Sequence, residues 1–312
     1  MDKGYKMNLG YACINMTLGE QGITTNRSMI KKTFMERGIT YAGELALKNV
    51  LDLEAVIQWN IDNNILLYRM SSDIFPWASE YSISSLPQYN EIRDVLYRVG
   101  NLAKKNKVRI GCHPGPFNVL CSPNPKVVQN TIKDLLTHAE IFDMMELHNS
   151  PFNKINIHCN GTYGDKIASM DRFCNTFAQL PWSVQSRLTI ENDDKASMYS
   201  VKDLMYIHER IGIPIVFDYH HHQFNTGGLS EQEALELAIS TWKDSIIPVV
   251  HYSSSKQKET GNPKDKPQAH AAYILEDINT YGHDVDIMLE CKAKELALLE
   301  YRSIMIQKAL TP

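Results

Sequence analysis

Residues 187–222, RLTIENDDKASMYSVKDLMYIHERIGIPIVFDYHHH, carry the pattern from which the fold can be predicted. An apolar run ends in a carboxylate (187–193), a segment with apolar residues every three or four positions follows (200–212), and a second apolar run ends in Asp and His (214–222). The middle segment has the period of a helix packed on one face, and Gly212 with Pro214 indicates its end. The stretch is therefore a predicted strand, helix and strand of a parallel sheet.

The same alternation occurs along the whole chain of 312 residues. Longer segments of helical period separate eight short runs that begin apolar and end polar: 7–15, 65–72, 108–115, 154–161, 187–193, 214–222, 248–254 and 286–292. Eight parallel strands with seven or eight crossovers predict a single (β/α)₈ TIM barrel domain over residues 1–312, and a doubly wound open sheet is the alternative. A barrel would place the active site at the C-terminal ends of the strands.

Composition excludes several classes of protein. Hydrophobic residues make up 43% of the chain and charged residues 22%, which is ordinary for a globular protein and unlike a disordered or collagen-like chain. The formal charge of −4 argues against a purely electrostatic nucleic-acid binder, unless bound cations change that balance. We find no signal-peptide pattern and no run of about 18 apolar residues. We therefore expect a cytoplasmic protein with no membrane contact and no obligate protein partner.

Histidines and carboxylates follow the ends of the predicted strands. They are His113, His158, Glu191, Asp218, His221, His251 and Glu290, with His270 after a polar loop. A closed barrel would bring these side chains to one mouth, where burial is unfavourable unless they are paired, hydrated or bound to metal. Mixed imidazole and carboxylate ligands suit several divalent ions and favour Mn²⁺ or Zn²⁺.

Two further features of the predicted mouth bear on ligands. Among three consecutive histidines, His221 is the expected ligand, because in an extended chain His220 and His222 would point to the opposite face. The polar loop at residues 253–268 contains four lysines, including Lys256, that would hang over the site and could contact phosphate.

The motifs around these residues resemble the UV damage endonuclease family, a metal-dependent DNA repair branch of the barrel group that also contains AP endonuclease IV. The resemblance covers most of the chain. It runs through GYACINMTLG (10–19), TTNR (24–27), YRMSSDIFPWAS (68–79), HPG (113–115), SPNPKVVQ (122–129), IHCNGTYGDK (157–166), IENDD (190–194), FDYHHHQFN (217–225), VHYSS (250–254), QAHA (268–271) and LECKAKE (289–295).

This resemblance implies that the chain nicks damaged double-stranded DNA on the 5′ side of a UV-induced or other bulky lesion and leaves a 3′-hydroxyl. It also implies up to three divalent ions, with Mn²⁺ expected first and Zn²⁺ or Mg²⁺ as alternatives. The family's metal ligands carry over onto His113, His158, Glu191, Asp218, His221, His251, His270 and Glu290. Glu191 is the expected bridge between ions, and His251 is a second predicted catalytic residue. Tyr11 and Asn15 match positions that contact DNA near the extruded lesion.

The sequence departs from the family at two places. After HPG the family has Gln-Tyr, a pair that wedges into the duplex, whereas this chain has Pro116 and Phe117, which we expect to probe the lesion as apolar wedges. The family also has a lysine two residues before the ligand at 251 and a histidine after the P-[FWL]-A-[ST] motif. This chain has Val249 and Glu80 there. Our hypothesis is that Glu80 supplies the anionic oxygen lost with that lysine, which makes it a third predicted catalytic residue.

Three other functions compete with this interpretation. An abasic-site endonuclease of the same barrel group would fit the change to Pro116 and Phe117. A metal-dependent sugar isomerase would also place His, Glu and Asp on paired ions, although five histidine ligands and a basic loop count against it. A catalytically silent DNA-binding module is the third alternative, and the intact ligand set argues against it.

Overall fold

Eight short parallel strands form the centre of the computed structural model, which describes residues 7–310. They are β1 Leu9–Ala12, β2 Leu67–Met70, β3 Arg109–Cys112, β4 Ile155–His158, β5 Leu188–Glu191, β6 Ile215–Val216, β7 Val249–Tyr252 and β8 Asp286–Leu289. Each lies inside one of the eight runs predicted from sequence, so that prediction is confirmed. The predicted single domain also includes residues 1–6 and 311–312, which lie outside the described residues.

The strands close into a ring. Their order is β6-β5-β4-β3-β2-β1-β8-β7, and all the pairings are parallel. The two ends of this order meet through one parallel bridge between Asp218 and His251, where the His251 amide donates to the Phe217 carbonyl at 2.8 Å. The molecule is a (β/α)₈ barrel, as predicted, and the alternative of an open sheet is wrong.

Helices surround the barrel and connect its strands. They are α1 Met16–Gly19, α2 Lys31–Asp62, α3 Tyr89–Lys105, α4 Pro125–Met144, α5 Lys166–Phe177, α6 Trp182–Gln185, α7 Val201–Ile211, α8 Tyr219–His222, α9 Glu231–Ile239, α10 Lys256–Thr260 and α11 Glu295–Leu310. Three 3-10 turns lie at Ala78–Glu80, Ile83–Ser85 and Pro151–Asn153. Helix α2 is kinked at Gly38, whose φ is 63°. No helix of the described residues is long and apolar enough to cross a membrane.

The helix predicted between the first two quoted strands shows how local sequence sets element ends. Ser200 caps α7 in a reciprocal capping box with Asp203, which satisfies backbone amides that have no partner within the helix. Gly212 ends the helix in the left-handed conformation with φ 68°, which glycine adopts without steric cost. The predicted helix end is therefore correct.

The barrel interior is partly polar. Side chains at alternate positions of a strand face inward, and β4 directs Ile155 and Ile157 to the helices while Asn156 and His158 face the barrel axis. Lys154, just before β4, faces inward as well. An apolar layer fills another part of the interior, formed by Ala12, Leu67, Val216, Val249 and Met288.

Candidate metal centre

Glu191, the last residue of β5, is the centre of the polar cluster at the barrel mouth. Its side chain is 1% exposed. Its Oε2 lies 3.2 Å from Nε2 of His113 and 3.1 Å from Nδ1 of His251, and its Oε1 lies 3.3 Å from Nδ1 of His221 and 3.9 Å from Nε2 of His158. One carboxylate from β5 is thus surrounded by histidines from four other segments of the barrel mouth.

Two more carboxylates complete this arrangement. Asp218, after β6, offers an oxygen within 4.8 Å of ligand atoms of Glu191 and His251. Glu290, after β8, has Oε1 at 3.2 Å from Nδ1 of His251 and also forms an ion pair with Arg69 of β2. The structure therefore brings seven of the eight predicted ligands into one connected cluster: His113, His158, Glu191, Asp218, His221, His251 and Glu290.

His270, the eighth predicted ligand, lies at the edge of this cluster. Its ring centroid is 5.4 Å from that of His220, and within the described residues its side chain forms no ion pair with the other seven predicted ligands. Burial lowers the pKa of His270 to about 4, so the ring is neutral near pH 7, which is the form that binds metal.

The histidine of the 220–222 triplet that enters the cluster is His221, as expected, but for another reason. The chain does not stay extended, because residues Tyr219–His222 form the single turn α8, capped by Asp218. The His221 ring faces Asn192 O at 2.8 Å and Glu191, whereas His220 contacts the Gln268 carbonyl. A helical turn, and not strand alternation, separates the three rings.

The electrostatics of the cluster follow from burial and from charge pairing. Burial alone would raise the pKa of Glu191, but the histidines around it, His251 first, hold that pKa well below its usual range. Burial alone lowers the pKa of His158, but Glu191 and Asp193 raise it to about 9. Burial lowers the pKa of His113 to about 4 and raises that of Asp218 to about 7. Neighbouring groups therefore differ widely in proton affinity.

The donor set fits divalent cations. Within the described part of the chain, several buried atoms of the candidate ligands have no hydrogen-bond partner, among them Glu191 Oε1, Asp218 Oδ2, His251 Nδ1 and His270 Nδ1. Two triads, His113 with His158 and Glu191, and Glu191 with Asp218 and His251, each have ligand atoms within 4.8 Å of one another. Buried polar atoms are normally satisfied, so atoms that converge without a partner indicate that a cation completes the site.

Outer side chains hold the ligands in place. Asp193 has Oδ1 at 3.1 Å from Nδ1 of His158, on the ring edge away from Glu191. Asn192 exchanges two hydrogen bonds with the backbone of Asp218, at 2.8 and 3.0 Å. A carboxylate behind a ligating histidine fixes the orientation of its ring and raises its basicity. The motif IENDD therefore supplies one candidate ligand and two residues that position others.

A second support lies beneath the cluster, inside the barrel. Thr189 donates to Asn156 at 2.8 Å, and Asn156 in turn donates to Oε2 of Glu191. Lys154 Nζ lies 3.1 Å from Nε2 of His251. Sequence reasoning missed Lys154, Asn156, Asp193 and Arg69. The signal was present for two of them, because polar residues alternate with Ile155 and Ile157 and so share the face of His158.

The two DNA contacts predicted in the first apolar run, Tyr11 and Asn15, are buried in the structure. Tyr11 is fully buried, and its hydroxyl donates to Asn60 Oδ1 at 2.8 Å and accepts from Asn15 Nδ2 at 3.0 Å. Asn15 also caps α1 through the Leu18 amide. Contact between these side chains and DNA would require this hydrogen-bonded unit to open.

The other predicted probes lie on the surface. Pro116 and Phe117 follow β3, at the same end of the barrel as the cluster, and Phe117 is 88% exposed. Lys256 starts α10 and is exposed, with an ion pair to Asp265 at 3.1 Å.

Glu80 does not contact the cluster in the described residues. It ends the 3-10 turn Ala78–Glu80 with an exposed side chain, which accepts a hydrogen bond from Ser79 at 3.3 Å. Val249 packs in the apolar layer inside the barrel. The amine beside His251 comes instead from Lys154, which immediately precedes β4.

These features define a (β/α)₈ barrel with a candidate centre for more than one divalent ion at its C-terminal mouth. The comparisons with known proteins agree with this description. The family model described as UV-endonuclease UvdE matches residues 7–309. The chain belongs to this family, and its predicted activity as a DNA repair endonuclease is confirmed.

Three relatives illustrate the extent of the similarity. A UV DNA damage endonuclease of Clostridium perfringens is 33% identical over 94% of this chain and 69% of its own length. A UV-damage endonuclease of Schizosaccharomyces pombe is 34% identical over 95% of this chain, which spans half of that longer protein. The crystal structure of SacUVDE superposes with a TM-score of 0.84 at 32% identity, over 97% of this chain and 99% of that one.

More distant structures share the fold alone. Endonuclease IV from Thermus thermophilus superposes with a TM-score of 0.57 at 11% identity, and a D-psicose 3-epimerase from Clostridium cellulolyticum with 0.54 at 10%. The barrel is thus common to nucleases and sugar epimerases, and the choice between them rests on the site and on the family.

Proposed function

We propose that this chain is a metal-dependent endonuclease that nicks damaged double-stranded DNA on the 5′ side of UV-induced or other helix-distorting lesions and leaves a 3′-hydroxyl. The observation that carries the proposal is the position of Glu191, a buried carboxylate in contact with four histidines from different segments of the mouth. A carboxylate in that position suits a bridge between two cations.

The site would hold up to three divalent ions, with Mn²⁺ expected first. The proposed ligands are the eight residues predicted from sequence: His113, His158, Glu191, Asp218, His221, His251, His270 and Glu290. Such ions supply Lewis acidity, which activates water and neutralises charge on a phosphodiester. The chain itself contributes a rigid set of donors, because Asp193 and Asn192 orient the ligands from outside and Asn156 orients Glu191 from below.

The chain would engage DNA at the same face. Phe117 is an exposed wedge beside the β3 ligand His113, and Lys256 offers a positive charge on the loop after β7. Bound cations would move the formal charge from −4 to about +2 if three are held, so the ions would form part of the DNA-binding surface. Tyr11, Asn15, Pro116 and Glu80 keep their predicted roles in DNA contact and ion binding as proposals.

The decisive experiment is nicking of an end-labelled duplex with one cyclobutane pyrimidine dimer in Mn²⁺, beside undamaged and abasic duplexes, with the cut position mapped. Incision 5′ to the dimer supports the proposal. Cleavage only at the abasic site would favour the abasic-site endonuclease, for which the change to Pro116 and Phe117 is the specific observation. If no divalent ion supports cleavage of either damaged duplex, the proposal is wrong.

A further inference from the structure

A second exposed aromatic side chain lies at the mouth, on the loop after β4. Tyr163 is 50% exposed, and the loop that carries it begins immediately after the candidate ligand His158. It therefore lies at the C-terminal end of the barrel, with the cluster and with Phe117.

The backbone conformation and the packing of Tyr163 are both unusual. Tyr163 has a φ of 48°, in the left-handed region that bulky residues rarely adopt. Its ring packs on Gly161 so closely that a Cβ there would lie 2.8 Å from Cε2 of the ring. Only glycine allows the ring to occupy this position, and backbone strain of this kind is concentrated at functional sites.

Arg172 of α5 supports the ring. Its guanidinium carbon lies 5.7 Å from the centroid of Tyr163, within the range of a cation–π contact. The guanidinium is itself fixed, because Nε donates to the Cys121 carbonyl at 2.8 Å and Nη2 donates to Ser169 at 2.7 Å. The ring therefore packs on a glycine and lies near an anchored cation while half of its surface stays open to solvent.

The loops after β3 and β4 are fastened together. Asn160 donates to the carbonyl of Asn118 at 3.0 Å, next to Phe117, and the Cys121 thiol donates to the carbonyl of Gly161 at 3.2 Å. The loops that carry the two exposed aromatic residues are thus hydrogen-bonded to each other. An oriented, half-exposed ring beside a wedge is suited to stack on a base that has left the duplex.

We propose that Tyr163 is a specificity-determining residue. Its ring would stack on a base that has left the damaged duplex, next to the base step that Phe117 is proposed to open. This inference rests on the proposed function, since it assigns a binding role for DNA to a ring outside the candidate metal centre. The hydroxyl is not required, because stacking uses the face of the ring.

The test measures binding and stacking together. Fluorescence anisotropy with a labelled dimer-containing duplex gives the dissociation constant in Ca²⁺, with the absence of nicking checked on a gel. A 2-aminopurine beside the dimer reports stacking through its quenching. Tyr163→Phe keeps the ring, Tyr163→Leu keeps an apolar side chain without it, and Gly161→Ala displaces it. Trp182→Ala is the matched control, because Trp182 is 70% exposed at the start of α6, before β5 and so at the opposite end of the barrel.

We expect Tyr163→Leu and Gly161→Ala to weaken binding roughly tenfold and to relieve quenching, as loss of one stacked base predicts, with Tyr163→Phe and Trp182→Ala unchanged. Wild-type affinity and quenching in Tyr163→Leu would overturn the inference, and so would an equal loss in Tyr163→Phe, which would implicate the hydroxyl. Melting temperatures confirm that each variant is folded. If the wild-type protein neither binds nor nicks the damaged duplex, the proposed function has failed, which is a different result.

Discussion

Lys154 Nζ lies 3.1 Å from Nε2 of His251, while Nδ1 of the same ring faces Glu191 and Glu290 at 3.1 and 3.2 Å. One edge of this fully buried imidazole thus lies against an amine inside the barrel, and the other edge faces the carboxylates of the cluster without a hydrogen bond to them. Burial lowers the pKa of Lys154 to about 7. Lys154 thus lies where its amine could fix the orientation of the His251 ring.

Replacing that amine tests whether the contact positions His251. Lys154→Met keeps the length of the side chain and removes its hydrogen bond. We expect Mn²⁺ affinity to fall by about 10- to 100-fold, as is usual for residues behind a metal ligand. Calorimetric titration of the metal-free protein with Mn²⁺ measures this affinity, and Lys105→Met on the surface of α3 is the control. Unchanged affinity in Lys154→Met would show that His251 does not need this support.

Asp193 should act on His158 in the same way. Its carboxylate lies 3.1 Å from Nδ1 of His158, whereas its neighbour Asp194 forms no ion pair with a histidine among residues 7–310. We predict that Asp193→Asn lowers Mn²⁺ affinity about tenfold or more and that Asp194→Asn, with the same change in charge, does not. Equal effects of the two substitutions would indicate general electrostatics and not positioning.

Glu191→Gln should abolish both ion binding and nicking. We expect a loss of more than about 100-fold, because this carboxylate is proposed to bridge two ions while residues behind the ligands already account for about 10- to 100-fold. Glu300→Gln, which changes an exposed residue of α11, is the charge-matched control. In the metal-free variant the pKa of His158 should also fall from about 9, since Glu191 helps to raise it, and NMR titration measures this. Retained nicking would refute the assignment.

The metal-free protein should show a pH dependence that originates in His158. Its folded pKa of about 9 exceeds the usual value near 6.5, so its contribution to stability is complete below about pH 6.5 and is lost as the pH rises to about 9. The difference in melting temperature between wild type and His158→Gln, measured with a chelator, should therefore be largest near pH 6.5 and shrink by a few degrees toward pH 9. A constant difference would contradict the assigned pKa.

Glu80→Gln tests the hypothesis of a replacement anion. If Glu80 reaches the ions when DNA and metal are bound, the variant should lose ion occupancy, measured by elemental analysis, together with nicking. Glu20→Gln in the exposed segment after α1 provides the matched control. The Glu80 side chain is exposed and, within residues 7–310, its one hydrogen bond is from Ser79, so unchanged occupancy and nicking would remove Glu80 from the site.

Much of the site could be predicted because the residues able to bind metal follow the strands, and a barrel brings its strand ends together. Strand ends converge at one mouth, so His113, His158, Glu191 and Asp218 could be grouped from their places after apolar runs. The register between neighbouring strands, which determines which of these side chains lie opposite each other, could not be predicted from the sequence. His158 lies directly opposite Glu191 on the neighbouring strand, and that pairing depends on the stagger between β4 and β5.

Other features depend on contacts between distant segments and were out of reach. Lys154 could not be matched to His251 from the sequence, because the two residues are 97 positions apart and meet only inside the barrel. The strand-like sequence around His221 concealed a helical turn, since a capping Asp218 overrides the local propensity. Tyr11 pairs with Asn60 of α2, which a pattern on strand 1 alone does not indicate.

The ring of strands is joined between β6 and β7 by a single bridge, and its two residues, Asp218 and His251, are candidate ligands. This seam, like the single pairing between β3 and β4, has little backbone pairing, and an ion shared by Asp218 and His251 would hold β6 and β7 together across it. Removing the ions would then loosen the sheet along this seam. Amide exchange at His251, whose backbone donates across the seam to Phe217, should quicken on chelation more than at the β4–β5 pairing.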